Sequence, residues 1–294
     1  MGGGRDGSGL LSEAPDPAAL DPAAALIDGA SALLVCAGAG MGVDSGLPDF
    51  RGPEGFWRAY PPYRRLGLRF EELADPGHFD ADPGLAWGFY GHRLALYRTT
   101  TPHAGFGVLR RWAERVPTRV FTSNVDGAFQ SAGFDAATVT ECHGAIGMLQ
   151  CTRPCHDGTW AADGVVVDLD ETTMRARAPL PSCPRCGAVA RPNILMFGDS
   201  SWVPGPHAER MAAHRDWLRA QDAASMVVVE LGAGTAVPTV RRHAELASAA
   251  SGALIRVNVR EPGVRHGRGV GIAAGARATL IALEAMLTRR GPHS

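Results

Sequence analysis

The sequence predicts an α/β chain: a Rossmann-like parallel sheet domain carrying a smaller domain built from a zinc ribbon plus a helical insertion. Three observations predict it. A continuous apolar run at 32–36 and strand-like runs at 118–122, 225–231 and 253–258 recur, with helix-like stretches between them. Strands that alternate with helices imply a parallel sheet covered on both faces. The first run breaks into Gly38-Ala39-Gly40, the strand, glycine turn and helix that open a dinucleotide-binding unit. Two close cysteine pairs, Cys151/Cys155 and Cys183/Cys186, interrupt the alternation.

In chain order, residues 1–17 are rich in Gly and Pro and read as a disordered segment. Asp21 before Pro22 and an Ala-rich run reads as a helix cap with proline at the first helical position. Residues 52–100 hold Pro, Arg and aromatics, with helical patterning over 85–97, and read as the helical insertion. Residues 147–197 contain the cysteine pairs and read as a zinc-binding module. These two segments are expected to form the small lobe, and 18–51, 101–146 and 198–290 the sheet lobe. A second glycine turn, Gly232-Ala233-Gly234-Thr235, follows the third strand run. Leu280, Leu283 and Leu287 give 275–290 a helical stripe.

Composition narrows the function. The chain has 294 residues, 45% hydrophobic and 20% charged, with a net charge of −1. That balance argues against a nucleic-acid backbone as partner, and no apolar run is long enough for a membrane span. All 29 basic residues are Arg, which excludes Schiff-base or P-loop chemistry from the chain's own lysine. No basic start followed by an apolar segment opens the chain, so a cytoplasmic protein is expected, whose cysteines serve metals or catalysis rather than disulfides. Cys36 and Cys142 stand alone beside apolar residues and read as small core residues.

Cys151-x-x-x-Cys155, 27 residues, then Cys183-Pro-Arg-Cys186 suits four thiolates around one structural Zn²⁺, with no corner left open for water. Gly38-Ala39-Gly40 lets backbone N–H groups approach a pyrophosphate. Val43 stands where a third glycine would complete the dehydrogenase fingerprint, and no acidic residue follows about 20 positions on, which disfavours an ordinary dehydrogenase.

The remaining motifs are more specific: GAGMGVDSGLPDFRG at 38–52, TSNVD at 122–126, His143-Gly144, the cysteine pairs, Phe197-Gly198-Asp199 and the turn from Gly232 to Thr235. In this order they resemble the sirtuins, NAD-dependent protein deacylases, over about residues 22–290. The resemblance implies NAD as co-substrate, acylated-lysine proteins or peptides as partners, and nicotinamide and O-acyl-ADP-ribose as products. It places Gly38, Ala39 and Gly40 under the NAD diphosphate, and Asp49, Phe50 and Arg51 in a segment closing over the nicotinamide ribose. Asn124 and Asp126 match the nicotinamide pocket, His143 the catalytic base, Gly232, Gly234 and Thr235 the adenosine-side turn, and Asn258 the adenine ribose. Asn124 is counted with His143 among the catalytic residues. A neutral imidazole is suited to take a proton from a ribose hydroxyl. Ser123 falls at a cofactor-binding position where the family carries Gln, Gly42 where it carries Ser, and Asp199 where it carries Glu. The Ser123 change keeps an NAD hydrolase or ADP-ribosyltransferase using the same pocket as the alternative.

Tyr90 and Arg93 share a helix face at i, i+3. In the sirtuin branch that removes acidic acyl groups, such a pair binds the far carboxylate of succinyl- or malonyl-lysine. Arginine suits that role through bidentate, charge-assisted bonds.

Overall fold

The computed structural model describes residues 14–48 and 52–290. In chain order its main elements are α1 Pro17–Asp28, β1 Ala32–Ala37, α2 Gly52–Ala59, α3 Pro61–Arg65, α4 Phe70–Leu73, α5 His78–Ala81, α6 Pro83–Thr99, α7 Ala104–Ala113, β2 Thr118–Thr122, α8 Ala128–Ser131, β3 Val139–Glu141 and β4 Gly144–Cys151. There follow β5 Trp160–Ala161, β6 Leu169–Asp170, β7 Arg175–Ala176, β8 Ala190–Ile194, α9 Gly205–Ala220, β9 Met226–Leu231, α10 Thr239–Ala247, β10 Leu254–Val257, β11 Val270–Ile272 and α11 Ala276–Arg290.

Six strands form one parallel sheet in the order β11-β10-β9-β1-β2-β3. Every residue of β1 and of β9 is buried, because helices cover both faces. On one face Leu33, Val35, Val120, Val229 and Ile255 join side chains of α1, α7 and α11 in the largest core. On the other, Leu34, Cys36, Phe121 and Val228 pack with Val240 and Ala244 of α10 and with Met211 and Trp217 of α9. Cys36 is fully buried and Cys142 half-buried.

The first helix corrects the sequence reading. It starts at Pro17, with the Asp16 carboxylate accepting from Ala18 N at 2.9 Å, and Pro22 lies inside it. The chain carries the Asp-Pro signal twice, and the earlier copy caps the helix. Of the segment expected to be disordered, 1–13 lie outside the described residues, while 14–17 lead into and open α1.

A second core joins the α2–α6 segment to the cysteine-bearing segment. Phe56, Tyr60, Tyr63, Phe79, Trp87, Phe89 and Tyr90 meet Ile146, Leu149, Met174, Ala190 and Ile194 there. The antiparallel sheet β5-β4-β8 and the hairpin β6–β7 lie against α6. Trp87 Nε1 donates to Ala190 O at 2.8 Å and Tyr63 Oη to Met174 O at 3.2 Å. The long stretch between the cysteine pairs thus returns to wall the helical insertion. No helix among the described residues is long and apolar enough to cross a membrane.

Candidate active site

The candidate residues that follow the strands of the sheet lie along its carboxyl edge. Backbone bonds show how. Asn258 N donates to Ile272 O at 3.0 Å, Gly232 N to Val257 O at 2.9 Å, Gly38 N to Leu231 O at 3.0 Å, Ser123 N to Ala37 O at 3.3 Å and Cys142 N to Thr122 O at 2.8 Å. Each residue leaves its strand one rung beyond the neighbouring strand's last carbonyl. The ends of β10, β9, β1, β2 and β3 therefore form one row, about 19 Å across at ~4.8 Å per strand. Connections run one way from β1 to β2 and the other way through β9 and β10, which makes the β1–β9 gap the switch point where open α/β sheets bind ligands.

Two glycine turns interlock at that gap. Gly232 has φ +62°, and a Cβ there would land on the Gly40 backbone; one on Gly38 would meet Ala233 Cα at 2.7 Å. The expected role of Gly38 and Gly40 needs correcting in one respect: their N–H groups are given to Leu231 and Gly232 (3.0 Å each). These glycines let two turns close on each other, and Ala39, exposed between them, faces outward.

Asn124 Nδ2 donates to Gly38 O at 3.0 Å, and its own N–H donates to Thr122 Oγ1 at 3.0 Å. The amide is thereby fixed, with its carboxamide oxygen and second N–H remaining to meet a ligand. Asp126 accepts from Ala128 N at 2.9 Å. Burial pushes its carboxyl above the usual range, and the Arg93 guanidinium partly offsets that. His143 follows β3 directly. Its carbonyl accepts from Leu195 N at 2.9 Å, and burial lowers the imidazole's proton affinity, so the ring is a neutral base at neutral pH. The following glycine is required: Gly144 has φ +80°, and a Cβ there would collide with the Asn193 carbonyl.

Tyr90 and Arg93 are 1% and 6% exposed. The Arg93 guanidinium lies over the rings of Phe89, Tyr90 and Tyr97, 5.2, 5.7 and 5.3 Å from their centroids. Its Nε and Nη2 donate to Tyr97 Oη at 3.0 and 2.8 Å. Tyr97, one turn beyond Arg93, was not singled out in the sequence, although the i, i+4 spacing signals it. Asp49, Phe50 and Arg51 lie outside the described residues.

At the far end of the row, Asn258 commits both ends of its amide within the protein. Nδ2 donates to Ala233 O at 2.8 Å, and Oδ1 accepts from Arg260 N and Glu261 N at 3.0 and 3.1 Å. It ties the second glycine turn to the loop after β10. Thr235 Oγ1 donates to Glu261 Oε1 at 2.8 Å, beside Gly234, so the turn is fastened at two points.

Cys151, Cys155, Cys183 and Cys186 converge, with all four Sγ atoms within 4.8 Å of one another. Cys151–Cys186 and Cys155–Cys183 are 3.6 and 3.7 Å apart. Tetrahedral Zn–S bonds of about 2.3 Å place sulfurs ~3.8 Å apart, so the cluster fits one zinc ion. His156 Nε2 stands 3.6 Å from Cys183 Sγ, behind a thiolate and outside the four corners.

A buried ion pair missed in the sequence anchors the loop after β8. Arg191 meets Asp199 through Nη1–Oδ2 at 2.7 Å and Nη2–Oδ1 at 2.8 Å, with side chains 1% and 0% exposed. Asp199 also accepts from Met196 N, Ser201 N and Ser201 Oγ. The Asp in place of the family's Glu is therefore fully engaged.

The Sir2 family model matches residues 38–228. An NAD-dependent protein deacylase of Pyrococcus abyssi is 31% identical over 77% of this chain and 81% of its own length. NAD-dependent protein deacylase 1 of Caldanaerobacter subterraneus is 33% identical over 56% of this chain. The chain spans 60%, 58% and 62% of the length of the Caldanaerobacter, Pyrobaculum and Aquifex relatives. Among solved structures, a Sir2 homologue in complex with NAD superposes with a TM-score of 0.70 at 25% identity, covering 98% of this chain and 97% of that one. A mutant Sir2 homologue bound to 2′-O-acetyl ADP-ribose gives 0.68 at 25% identity, over 94% and 97%.

Proposed function

This chain belongs to the Sir2 family, and from that premise we propose that it is an NAD-dependent protein-lysine deacylase, releasing nicotinamide and O-acyl-ADP-ribose. One observation carries the reading: five adjacent strand ends bring the interlocked glycine turns, Asn124, Asp126 and His143 to one edge of one sheet. NAD supplies the activated ribosyl carbon when bound. Gly38, Ala39, Gly40, Gly232, Gly234 and Thr235 shape the wall for its diphosphate and adenosine. Asn258 holds that wall in place through Ala233. Asn124 and Asp126 present a mixed donor and acceptor set to a carboxamide. His143, kept neutral by burial, takes the proton of a ribose hydroxyl. Asp49, Phe50 and Arg51 are proposed to close over the ribose, and Ser123 to border it.

The small lobe is held by zinc at Cys151, Cys155, Cys183 and Cys186. The ion is structural there, since four thiolates fill a tetrahedral shell. Thiols gathered for a metal suit the reducing cytoplasm, where we place the protein.

The finer proposal is that Tyr90 and Arg93 select acyl groups ending in a carboxylate. A guanidinium fixed by Tyr97 and close enough to act on Asp126 supports it. A second reading, NAD hydrolysis or ADP-ribosyl transfer, draws on two observations. Ser123 is too short to fill the family's Gln position, and the Phe197 N–H, at the loop where peptide would pair, is already bonded to Ala74 O at 2.9 Å. Mass analysis of products from NAD and a mixture of acetyl-, malonyl- and succinyl-lysine peptides decides. O-acyl-ADP-ribose supports deacylation, and nicotinamide release with NAD alone at the same rate supports the second reading.

A further inference from the structure

Glu141 ends β3, two residues before His143, and none of the roles above uses it. It is 3% exposed. Arg210 of α9 stands 3.5 Å from its Oε2. Gln130 of α8 favours its ionised form, and the Asp126 carboxyl opposes it. Burial is the largest influence and lifts the Glu141 carboxyl to about 7. Asp126 is half-buried, and the cation acting on it is Arg93 of α6. Tyr97 feels both Arg93 and Asp126. On α9 the buried His207, depressed to about 4 by desolvation and by Arg210, adds no charge at neutral pH. Two carboxylates therefore lie between two cations from the helical insertion to α9: Arg93, Asp126, Glu141, Arg210.

We propose that Glu141 tunes the charge of the nicotinamide end of the site, its carboxylate favouring a ligand whose ring is cationic over one whose ring is neutral. The inference rests on the NAD reading above. The ring of NAD carries a positive charge, whereas free nicotinamide and the dihydronicotinamide ring of NADH are neutral. Asp126 touches the carboxamide, which all three share. Glu141 acts through space on the ring charge, which only NAD has. At an effective dielectric of about 20, a unit charge changes binding roughly tenfold even from on the order of 10 Å. Glu141 is thus a positioning residue in the electrostatic sense, with no contact to the reacting atoms.

The test is calorimetric titration of the zinc-loaded protein with NAD and with NADH from pH 5.5 to 8.5, without acyl peptide. The wild type is expected to show the ratio Kd(NADH)/Kd(NAD) rising about tenfold through a step near pH 7. Glu141→Gln keeps the shape of the side chain and should remove that step. Arg210→Gln removes the cation that favours the carboxylate and should move the step to higher pH. Any step from His143 lies below its ordinary value and persists in both variants. Because Arg210 is partly exposed, its variant decides the matter even where Glu141→Gln does not fold. A step near pH 7 that survives in Glu141→Gln, or that stays in place in Arg210→Gln, overturns the proposal. A wild type that fails to bind NAD at any pH overturns the functional reading, and this proposal with it.

Discussion

Asp199→Ala should destabilise the fold by about 3–5 kcal/mol, the usual consequence of removing one partner from a buried ion pair. The magnitude follows from the surroundings. Arg191 and Asp199 have side-chain exposures of 1% and 0%, joined by two bonds of 2.7 and 2.8 Å. The variant leaves a guanidinium buried without its counter-ion. It also takes the acceptor from Met196 N and Ser201 N, so the loop leading to α9 loses its anchor. Arg191→Met should cost a similar amount for the converse reason. The double variant, with neither charge, should fall short of the sum by about 2 kcal/mol or more, as directly coupled residues do. Urea unfolding at neutral pH, followed by probes in each lobe, measures the four corners of the cycle. Single losses below about 1 kcal/mol that simply add in the double variant would refute the argument. The pair would then be behaving like an exposed one.

Three further outcomes follow from the geometry. Cys155→Ser should lower bound zinc from one ion per chain towards none by atomic emission, and should melt the small lobe before the sheet lobe; full zinc retention would contradict the four-thiolate site. His214 and His243 meet at 2.9 Å between their Nε2 atoms, and burial depresses them to about 3 and about 4. The unfolded chain then binds protons that the fold refuses, so their contribution is complete above about pH 6.5 and is lost as pH falls from there towards 4. The pair His214→Leu with His243→Phe should flatten the fall in Tm over that window. Arg93→Met should lower kcat/KM for succinyl-peptide about tenfold or more relative to acetyl-peptide, the size of one lost charge-assisted pair; an unchanged ratio removes the acidic-acyl proposal.

The sheet was legible because its strands are buried on both faces. Uninterrupted apolar runs such as 32–36 and 226–229 mark them. The cysteine cluster was legible because a metal needs particular atoms at short spacing. What escaped the sequence was set by tertiary contact. Asp16-Pro17 and Asp21-Pro22 carry the same capping chemistry, and packing of Leu20 and Ala23 into the core makes the earlier one the start. Gly38 and Gly40 pointed to an anion cradle, yet their N–H groups close a turn whose partner lies nearly 200 residues later in the sequence. Asp199 stands out in the sequence only as a motif position and Arg191 not at all, because a buried ion pair leaves no period in the sequence. Tyr97 could have been read from its spacing to Arg93. Glu141 could not, since its environment comes from α8, α9 and the segment after β2 together.

The imidazole at position 143 is proposed to act as the base on a bound NAD ribose. His143→Ala, assayed with NAD and an acyl-lysine peptide alongside a calorimetric titration with NAD, tests it most directly. NAD should still bind within a few-fold of wild type while O-acyl-ADP-ribose formation falls by about 10²–10⁴, the range for a lost general base. Product formation at the wild-type rate with NAD binding intact would contradict it.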